Sequence, residues 1–226
     1  MKAAKELAVN QDYILVSAET QSEGKGTRGR NWESPLGNIY MTVGIHRRHL
    51  PQARLALMPL EVGLHLWKEA ASWISASESL NLKLKWPNYL MLHHKKTAGS
   101  LMELQENFLM VGIGVNISIP PEIKDGGSEA GHLAQSGMDE NDLEKMIHGL
   151  YARIQKGREE FFVQDQFQAE SLLLDWQAKV EWKKPVRLRD RAGQPWVKPE
   201  SINPQGHLYV THEDGHGEWL IADYLL

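Results

Sequence analysis

The alternation of apolar and polar residues predicts several short strands in the first half of the chain. Apolar runs rich in β-branched residues are typical of buried strands, and alternating runs are typical of half-buried ones. Such runs cover Tyr13 to Ala18, Asn38 to Ile45, Leu80 to Leu84, Leu101 to Leu104 and Phe108 to Ile117. The third run ends at Lys85-Trp86-Pro87-Asn88, because proline cannot continue strand pairing. The last two runs predict an antiparallel hairpin.

Apolar residues at helical spacing predict the helices. Residues 55–74 form a dense apolar stretch, and Pro59 within it indicates that the helix starts near that residue or kinks there. Asp139 is a candidate N-cap for a second helix, with apolar residues at Leu143, Met146, Ile147, Leu150, Tyr151 and Ile154. Further helical stretches are expected over 167–178 and over Met1 to Ala8.

The pattern changes after Ala178, where short strand-like pieces alternate with Gly, Pro, Asn and Asp turns. These pieces predict a small β-barrel. The preceding part mixes strands and helices without a long βαβ series, which favours an α+β fold with a largely antiparallel or mixed sheet. The sequence therefore predicts two domains, residues 1–178 and residues 179–226.

Composition and charge narrow the functional classes. A net charge of −4, from 25 basic and 29 acidic residues, gives no electrostatic reason to bind nucleic acid. The chain has no cysteine and no signal-like start, so we expect a cytoplasmic protein without disulfides. Its longest apolar runs, such as Phe108 to Val115, fall short of the roughly 20 residues that a membrane helix needs. No membrane association is expected.

The glycine-rich segment Gly24-Lys25-Gly26-Thr27-Arg28-Gly29 fits the G-x-G-x-x-G pattern of dinucleotide-binding loops. Residues 30–38 are turn-forming, however, and do not open the helix on which such a loop depends. What remains is a loop whose backbone amides and basic side chains, including Arg30, could fold over an anion. The alternative is a mobile basic surface loop.

The hairpin region contains a second set of candidate residues. Lys96 lies beside apolar sequence between two predicted strands, where it could present a cation inside a cleft or remain solvated. Gly112 and Gly114 interrupt an apolar strand, which indicates a bulge or the close approach of another body to the backbone. A ligand could be that body.

Together these segments resemble the motifs of biotin protein ligases. Residues 21–32, with Ser34-Pro35 and residues 37–40, resemble the biotin loop of that family. The hairpin region continues the resemblance in order and spacing. Lys85 to Asn88 resembles Lys-Trp-Pro-Asn-Asp, Lys96 to Leu101 resembles Lys-x-x-Gly-x-Leu, and Gly112 to Asn116 resembles Gly-Ile-Gly-Ile-Asn. The tail resembles the small SH3-like barrel that ends this family, so the resemblance covers nearly the whole chain and implies a biotin/lipoate ligase-like fold.

The resemblance implies a two-step reaction that uses ATP, Mg²⁺ and biotin. Biotin is activated to biotinyl-5′-AMP, and a lysine of a biotin carboxyl carrier protein domain then displaces AMP. Lys96 and Arg28 are implied to be catalytic, and Lys96 would hold the biotin carboxylate and the α-phosphate. The residues implied to bind biotin or the adenylate are Gln21, Gly24, Lys25, Gly26, Thr27, Arg28, Trp32, Lys85, Asn88, Lys96, Gly99, Gly114 and Asn116.

Some finer roles are also implied by the resemblance. Gln21 would hydrogen-bond the ureido ring of biotin, and Trp32 would help to build the adenine side. Asn88 and Asn116 would line the nucleotide and Mg²⁺ region, although no protein ligand of the metal is identified. The oligomeric state stays open, with a homodimer among the alternatives.

Several positions depart from the family pattern. Tyr89 stands where the family has Asp, and a phenol with a reference pKa near 10 cannot act as a carboxylate at neutral pH. Lys25 and Thr27 replace arginines of the loop, and Ser100 replaces an apolar residue. A strand and a Ser-Thr pair of the family would precede Met1, so we expect them to be absent.

Three functions stay open on these residues. The first is a biotin protein ligase without the DNA-binding helices that some bacterial members carry. The second is a degenerate member that binds biotin, adenylate or carrier without efficient transfer, which Tyr89 favours. A lipoate or octanoate ligase fits the motifs less well. A zinc hydrolase is disfavoured, because His93 and His94 are adjacent and read as a polar turn.

Overall fold

The body of the protein is a six-stranded antiparallel sheet with helices packed on one face. The computed structural model describes residue 4 and residues 11–27, 31–121, 129–164, 166–180, 182, 185–188 and 191–222. The strands are β1 (Tyr13–Ala18), β2 (Ile39–His46), β3 (Leu82–Lys85), β4 (Tyr89–Leu92), β5 (Lys95–Leu104) and β6 (Phe108–Val115). Their order across the sheet is β1-β2-β6-β5-β4-β3, and every neighbouring pair is antiparallel. The α+β fold and the predicted hairpin are confirmed.

Within the described ranges, the helices with assigned bounds are α1 (Gln52–Trp73), α2 (Ala76–Ser79), α3 (Leu143–Glu160) and α4 (Ala169–Gln177). Of the two alternatives at Pro59, a helix start near that residue is wrong, because α1 begins at Gln52 and runs through the proline, while a kink there stays a prediction. Burial of apolar residues on both sides of Pro59 outweighs the one helical hydrogen bond that proline removes. Asp139 caps a short 3₁₀ turn, Glu140–Asp142, and α3 follows directly. In the described part of the chain, no helix has the length and apolar character needed to cross a bilayer.

The two faces of the sheet bury different sets of residues. Alternate residues of each strand, such as Met41, Val111 and Ile113, join the helices in the main core. On the opposite face, Ile14, Phe108 and Met110 pack with Ala4 in a small second cluster. The rest of the helix predicted over Met1 to Ala8 lies outside the described residues. The candidate site lies on this second face, at the other end of the strands.

The chain after α4 forms a separate four-stranded antiparallel sheet, as expected for a small barrel. Its strands are β9 (Val186–Arg187), β10 (Trp196–Ile202), β11 (Leu208–His212) and β12 (Gly217–Leu220), in the order β12-β11-β10-β9. A two-stranded ribbon, β7 (Phe162–Val163) and β8 (Gln166–Phe167), precedes α4. The sequence interpretation missed β10, which contains Pro199. The register shifts between Pro199 and Ser201, and an irregularity of this kind tolerates proline.

Hydrogen bonds at Leu84 and Trp86 join the C-terminal part of the chain to the large sheet. The Leu84 amide donates to the Lys179 carbonyl at 3.0 Å, on the outer edge of β3. The Trp86 indole donates from Nε1 to the Gly206 carbonyl at 3.0 Å. The domain boundary at residue 178 stays a prediction, since buried residues of β10 and β11 belong to the same hydrophobic core as the helices.

A buried ionic network lies on the face of α1 that α3 covers. Arg54 and Glu61 are fully buried and form a two-point ion pair, with Nε to Oε2 at 3.0 Å and Nη2 to Oε1 at 2.6 Å. His65 is also fully buried, with Nε2 3.7 Å from Glu61 Oε1. Burial opposes ionisation of Glu61, but the neighbouring His65 and Arg54 outweigh it and lower the pKa of the carboxyl below its usual value. Gly157 of α3 lies directly against this network, so the network is part of the contact between the two helices.

Candidate functional site

A row of cross-strand partners crosses the sheet on the face away from the helices. Such partners place their side chains on the same face of an antiparallel sheet. The row runs Tyr40, Gly114, Gly99, Tyr89 and Lys85. Its centre lacks side chains because two glycines lie side by side, and we call Gly99 and Gly114 the glycine platform. A flat body can therefore lie against the backbone between the two tyrosines.

The indole of Trp32 lies on the glycine platform. A Cβ atom built at Gly114 would lie 2.6 Å from Trp32 Cε2, and one at Gly99 would lie 3.3 Å from Cζ3. The first distance is too short for any side chain, so the position of the ring requires glycine at 114. Of the two alternatives that the sequence left open for Gly112 and Gly114, a close approach is therefore observed at Gly114, and the approaching body is the protein's own Trp32. Contact of the platform with a ligand stays a prediction.

A β-bulge turns Lys96 toward the platform. Leu90 pairs with Ala98 and Met91 pairs with Lys96, so Thr97 is an extra residue in β5. Without the bulge, Lys96 would share the helix-covered face with Ala98, two residues away. With it, Lys96 joins Met91 on the opposite face. Its Nζ atom lies 4.6 Å from the centre of the indole that covers the platform.

The glycine-rich loop is closed at its base. The Trp32 amide donates to the Gly24 carbonyl at 2.8 Å, and Lys25 forms an antiparallel bridge with Asn31. Ser34 Oγ donates to Gln21 Oε1 at 3.0 Å on the same side. A Cβ at Gly24 would lie 2.2 Å from the Trp32 carbonyl oxygen, so this contact also requires glycine. The two strands of the loop base therefore carry Trp32 toward the platform.

The described loop residues after Gly24 differ in exposure. Lys25 is exposed, while Gly26 and Thr27 are half-buried. Arg28 lies outside the described residues, so its implied catalytic role stays a prediction. The structure thus brings Gln21, Gly24 and Trp32 together, and leaves the arginine unplaced.

The two asparagines of the site differ in how their amides are used. Asn88 is buried, and its Nδ2 donates to the Ser100 carbonyl while the Ser100 amide donates to the Asn88 carbonyl. Asn116 is also buried, and its Nδ2 donates to the Gly131 carbonyl at 3.0 Å. Asn116 Oδ1 is buried without a hydrogen bond in the described structure. Such an orphaned acceptor fits a ligand donor or a cation.

The sequence interpretation missed residues 129–133, which run beside the start of β5. The Lys96 amide donates to the Glu129 carbonyl at 2.7 Å, and the Gly131 amide donates to the Lys96 carbonyl at 3.0 Å. The segment therefore holds the backbone of Lys96 on one side, as Thr97 and the bulge do on the other. No periodic pattern marks this segment, and Gly131 is its one local signal: a Cβ there would lie 2.8 Å from Lys95 Cβ.

Two lysine side chains make the site positively charged. Lys85 lies at one end of the row and Lys96 over its centre. At the other end Tyr40 is buried, and burial raises the pKa of its phenol above the usual value. The neutral hydroxyl donates to the Pro35 carbonyl at 2.8 Å. The arrangement suits a flat, partly apolar ligand that carries a negative charge near Lys96.

No cluster of three His, Asp or Glu side chains that could hold a metal ion occurs within the described residues. Mg²⁺ in ATP-dependent sites is usually held by carboxylates and substrate phosphates. Asn116 Oδ1 is the acceptor that fits such an ion here, and Tyr89 supplies no carboxylate beside Asn88. The residues of the site therefore fit Mg²⁺ only in part, and we derive no step through it.

Comparison with known protein families shows to which family the chain belongs. A model of the biotin/lipoate A/B protein ligase family matches residues 4–119, just over half of the chain. The chain belongs to this family. The matched part contains the loop base, the glycine platform, Lys96 and both asparagines, so the resemblance inferred from the motifs is confirmed.

Individual relatives agree with the family. The biotin–[acetyl-CoA-carboxylase] ligase of Mycobacterium tuberculosis is 28% identical over 146 residues, which are 63% of this chain and 54% of that protein. The chain thus spans about half the length of that relative. The bifunctional ligase/repressor BirA of Bacillus spizizenii is 27% identical over 235 residues, covering 98% of this chain and 69% of that protein.

Solved structures give the same fold. The biotin protein ligase of Leishmania major in complex with biotin has a TM-score of 0.72 and 26% identity, covering 98% of this chain and 94% of that one. The Aquifex aeolicus biotin protein ligase in complex with biotin and ATP has a TM-score of 0.75 at 23% identity, covering 93% and 86%. At 23% identity, the similarity to the Aquifex aeolicus structure shows the fold alone.

Proposed function

We propose that this protein is a biotin protein ligase. It would activate biotin with ATP to biotinyl-5′-AMP and transfer the biotinyl group to a lysine of a biotin carboxyl carrier protein domain. The observation that supports this most is the bulge at Thr97, which brings the Lys96 ammonium to the glycine platform. Family membership and the names of the relatives, which include biotin ligases from several organisms, support it further.

In the first step, a biotin carboxylate oxygen attacks the α-phosphorus of ATP and pyrophosphate leaves. Both reactants are anions, so their approach requires a cation held between them. Lys96 would supply that cation, and Arg28 would add a second from the loop. A fixed positive charge stabilises the charge that develops on the transferring group. Lys25 and Lys85 would raise the local concentration of both anions.

Binding of the two substrates would use the platform and the loop. Biotin would reach Gln21 with its ureido ring, and the adenylate would be covered by Gly24, Gly26 and Thr27. Gly99 and Gly114 admit a ring at van der Waals distance, and Trp32 would pack against the ligand. Asn88 and Asn116 would bind the nucleotide, Asn116 through its orphaned Oδ1 acceptor. Mg²⁺ would enter with ATP and neutralise its phosphates.

In the second step, the carrier lysine attacks the acyl carbon of biotinyl-AMP. The bond from that carbon to the phosphate oxygen breaks, AMP leaves, and the amine loses one proton. The loop would keep water from the mixed anhydride until the carrier arrives. The product is an amide, and the enzyme forms no covalent intermediate.

The test of this proposal is ATP-dependent transfer of labelled biotin to a purified carrier domain. We expect transfer by the parent protein, and a loss of about 100-fold or more in Lys96→Ala, the range for removing one transition-state donor. Lys95→Ala is the matched control, since the neighbouring Lys95 points its ammonium to Glu129 at 2.6 Å. Transfer that continues in Lys96→Ala at the Lys95→Ala rate would contradict the proposed role of Lys96. An inactive parent with no biotin-dependent rise in thermal midpoint would contradict the function itself.

One observation favours a second candidate, a family member that makes the adenylate but transfers it slowly. Tyr89 stands in the row where the family pattern has Asp, and a phenol cannot accept the amine proton at neutral pH. General-base help is typically worth about 10² to 10⁴ in rate. Pyrophosphate release and carrier biotinylation should therefore be measured separately in the parent and in Tyr89→Asp. A parent that transfers as fast as Tyr89→Asp would remove this candidate.

A further inference from the structure

The side chain of Lys96 lies against two aromatic rings. Its Nζ atom is 3.9 Å from the centre of the Tyr89 ring and 4.6 Å from the centre of the Trp32 ring. Both distances are well within the range of cation–π attraction, which strengthens as water is excluded. The shorter of the two contacts is with Tyr89, the residue that departs from the family pattern.

The Tyr89 ring projects from a strand that is paired on both sides. Its backbone pairs with Lys85 on one side and with Gly99 on the other. A Cβ at Gly99 would lie 3.2 Å from Tyr89 Cδ1, so the ring leans over the neighbouring strand into space that glycine leaves open. The other edge of that space is filled by Trp32. The Tyr89 ring therefore shares the space above Gly99 with Trp32, and the Lys96 side chain reaches both rings through four rotatable bonds.

A ring and a carboxylate orient an ammonium group with different consequences. A carboxylate would neutralise the lysine and compete with an anionic substrate for it, while a neutral ring attracts the cation and leaves its positive charge undiminished. We propose that Tyr89 is a positioning residue, whose ring holds the Lys96 ammonium over the glycine platform ready for the carboxylate and the α-phosphate. This inference rests on the proposed function and explains how adenylate formation can survive the loss of the family carboxylate.

The placement of Lys96 can be measured without any enzymatic activity. Reductive methylation with ¹³C-formaldehyde turns each lysine into a dimethylamine that keeps its charge, and a nearby ring shifts the methyl signal upfield. Lys96→Arg assigns the signal by its disappearance. We expect an upfield Lys96 signal in the parent and in Tyr89→Phe, which keeps the ring face. In Tyr89→Leu the signal should move toward that of Lys95, the internal control.

The second measurement is the steady-state rate of pyrophosphate release. Tyr89→Phe should keep the parent kcat, and Tyr89→Leu should lose about 10-fold or more, since small misplacements of a catalytic group are costly. The KM for biotin should change less than kcat, because the proposed contact between Gln21 and the ureido ring of biotin does not involve Tyr89 or Lys96. A merely structural role would lower the amount of folded protein and leave kcat per folded molecule unchanged.

The outcomes separate this inference from the proposed function. A Lys96 signal in Tyr89→Leu at the parent position would overturn the inference, and so would a parent kcat in that variant. A parent that releases no pyrophosphate but shows the upfield signal, lost in Tyr89→Leu, would refute the proposed function and still support the placement of Lys96 by Tyr89.

Discussion

The close contact between α1 and α3 predicts that one added methyl group, that of Gly157→Ala, destabilises the protein. Gly157 lies in α3 against the buried ionic network. A Cβ at this position would lie 2.3 Å from Glu61 Oε1, 2.9 Å from His65 Nε2 and 3.1 Å from Arg54 Nη2. The oxygen it meets first already accepts a hydrogen bond from Arg54 at 2.6 Å, so it cannot move aside freely. Gly157→Ala must therefore separate the helices or break the ion pair.

Two opposing effects set the magnitude. Replacing glycine by alanine inside a helix stabilises the folded state by about 0.8 to 1 kcal/mol. Overpacking a buried site costs about 1 to 3 kcal/mol, and breaking a buried ion pair costs about 3 to 5 kcal/mol. We therefore expect Gly157→Ala to lower the free energy of unfolding by about 2 kcal/mol, despite its better helix propensity.

Gly63 provides the matched control. It is a buried glycine in α1, and a Cβ there would lie 3.6 Å from both Leu84 Cδ2 and Trp176 Nε1, which is ordinary contact. Gly63→Ala should therefore gain about 0.5 to 1 kcal/mol from helix propensity alone. Urea unfolding followed by circular dichroism measures both variants, with the slope checked for constancy. If Gly157→Ala is as stable as Gly63→Ala, the close contact at the network is not real.

Three further predictions follow from the contacts of the site and of the core. Gly24→Ala should open the loop base, because its Cβ would lie 2.2 Å from the Trp32 carbonyl oxygen. We expect trypsin to cleave the variant at Lys25 faster than it cleaves the parent. Equal cleavage rates would contradict the prediction. Trp86→Phe should lose the indole hydrogen bond to the Gly206 carbonyl and destabilise by about 0.5 to 1.5 kcal/mol, measured by urea unfolding; an unchanged midpoint would mean that the bond is not formed in solution. Glu61→Gln should destabilise by about 3 to 5 kcal/mol at pH 7, because it leaves the buried arginine unpaired. The pKa of Glu61 is lowered in the folded protein, so its contribution to stability is present above the unfolded pKa of about 4.3 and is lost as the pH falls through the folded pKa. Glu61→Gln should therefore flatten the decline of stability in acid. A decline as steep as the parent's would exclude this carboxyl as its cause.

The sequence determined those features that depend on neighbouring residues. The short apolar, β-branched run from Tyr13 to Ala18 predicted β1 with its observed bounds, because such runs favour strands. Lys85 to Asn88 was placed correctly at a strand end through the rule that proline stops pairing. His93 and His94 form the expected turn between β4 and β5, both with positive φ. The motifs were local as well, so their order sufficed to identify the family.

Only the tertiary structure decided how the motifs meet. The direction of Lys96 depends on one extra residue in β5, and a one-residue shift reverses the face to which a side chain points. Trp32, Tyr89 and the glycine platform come from four separate segments, whose contact follows from strand order and not from spacing. The same holds for Gly131 beside Asn116. Arg54 and Glu61 lie seven residues apart in α1, so helical spacing allows their contact, but it is the packing of α3 that buries it. Local sequence sets propensity and alternation, whereas long-range packing selects the strand register and the burial that bring distant side chains together.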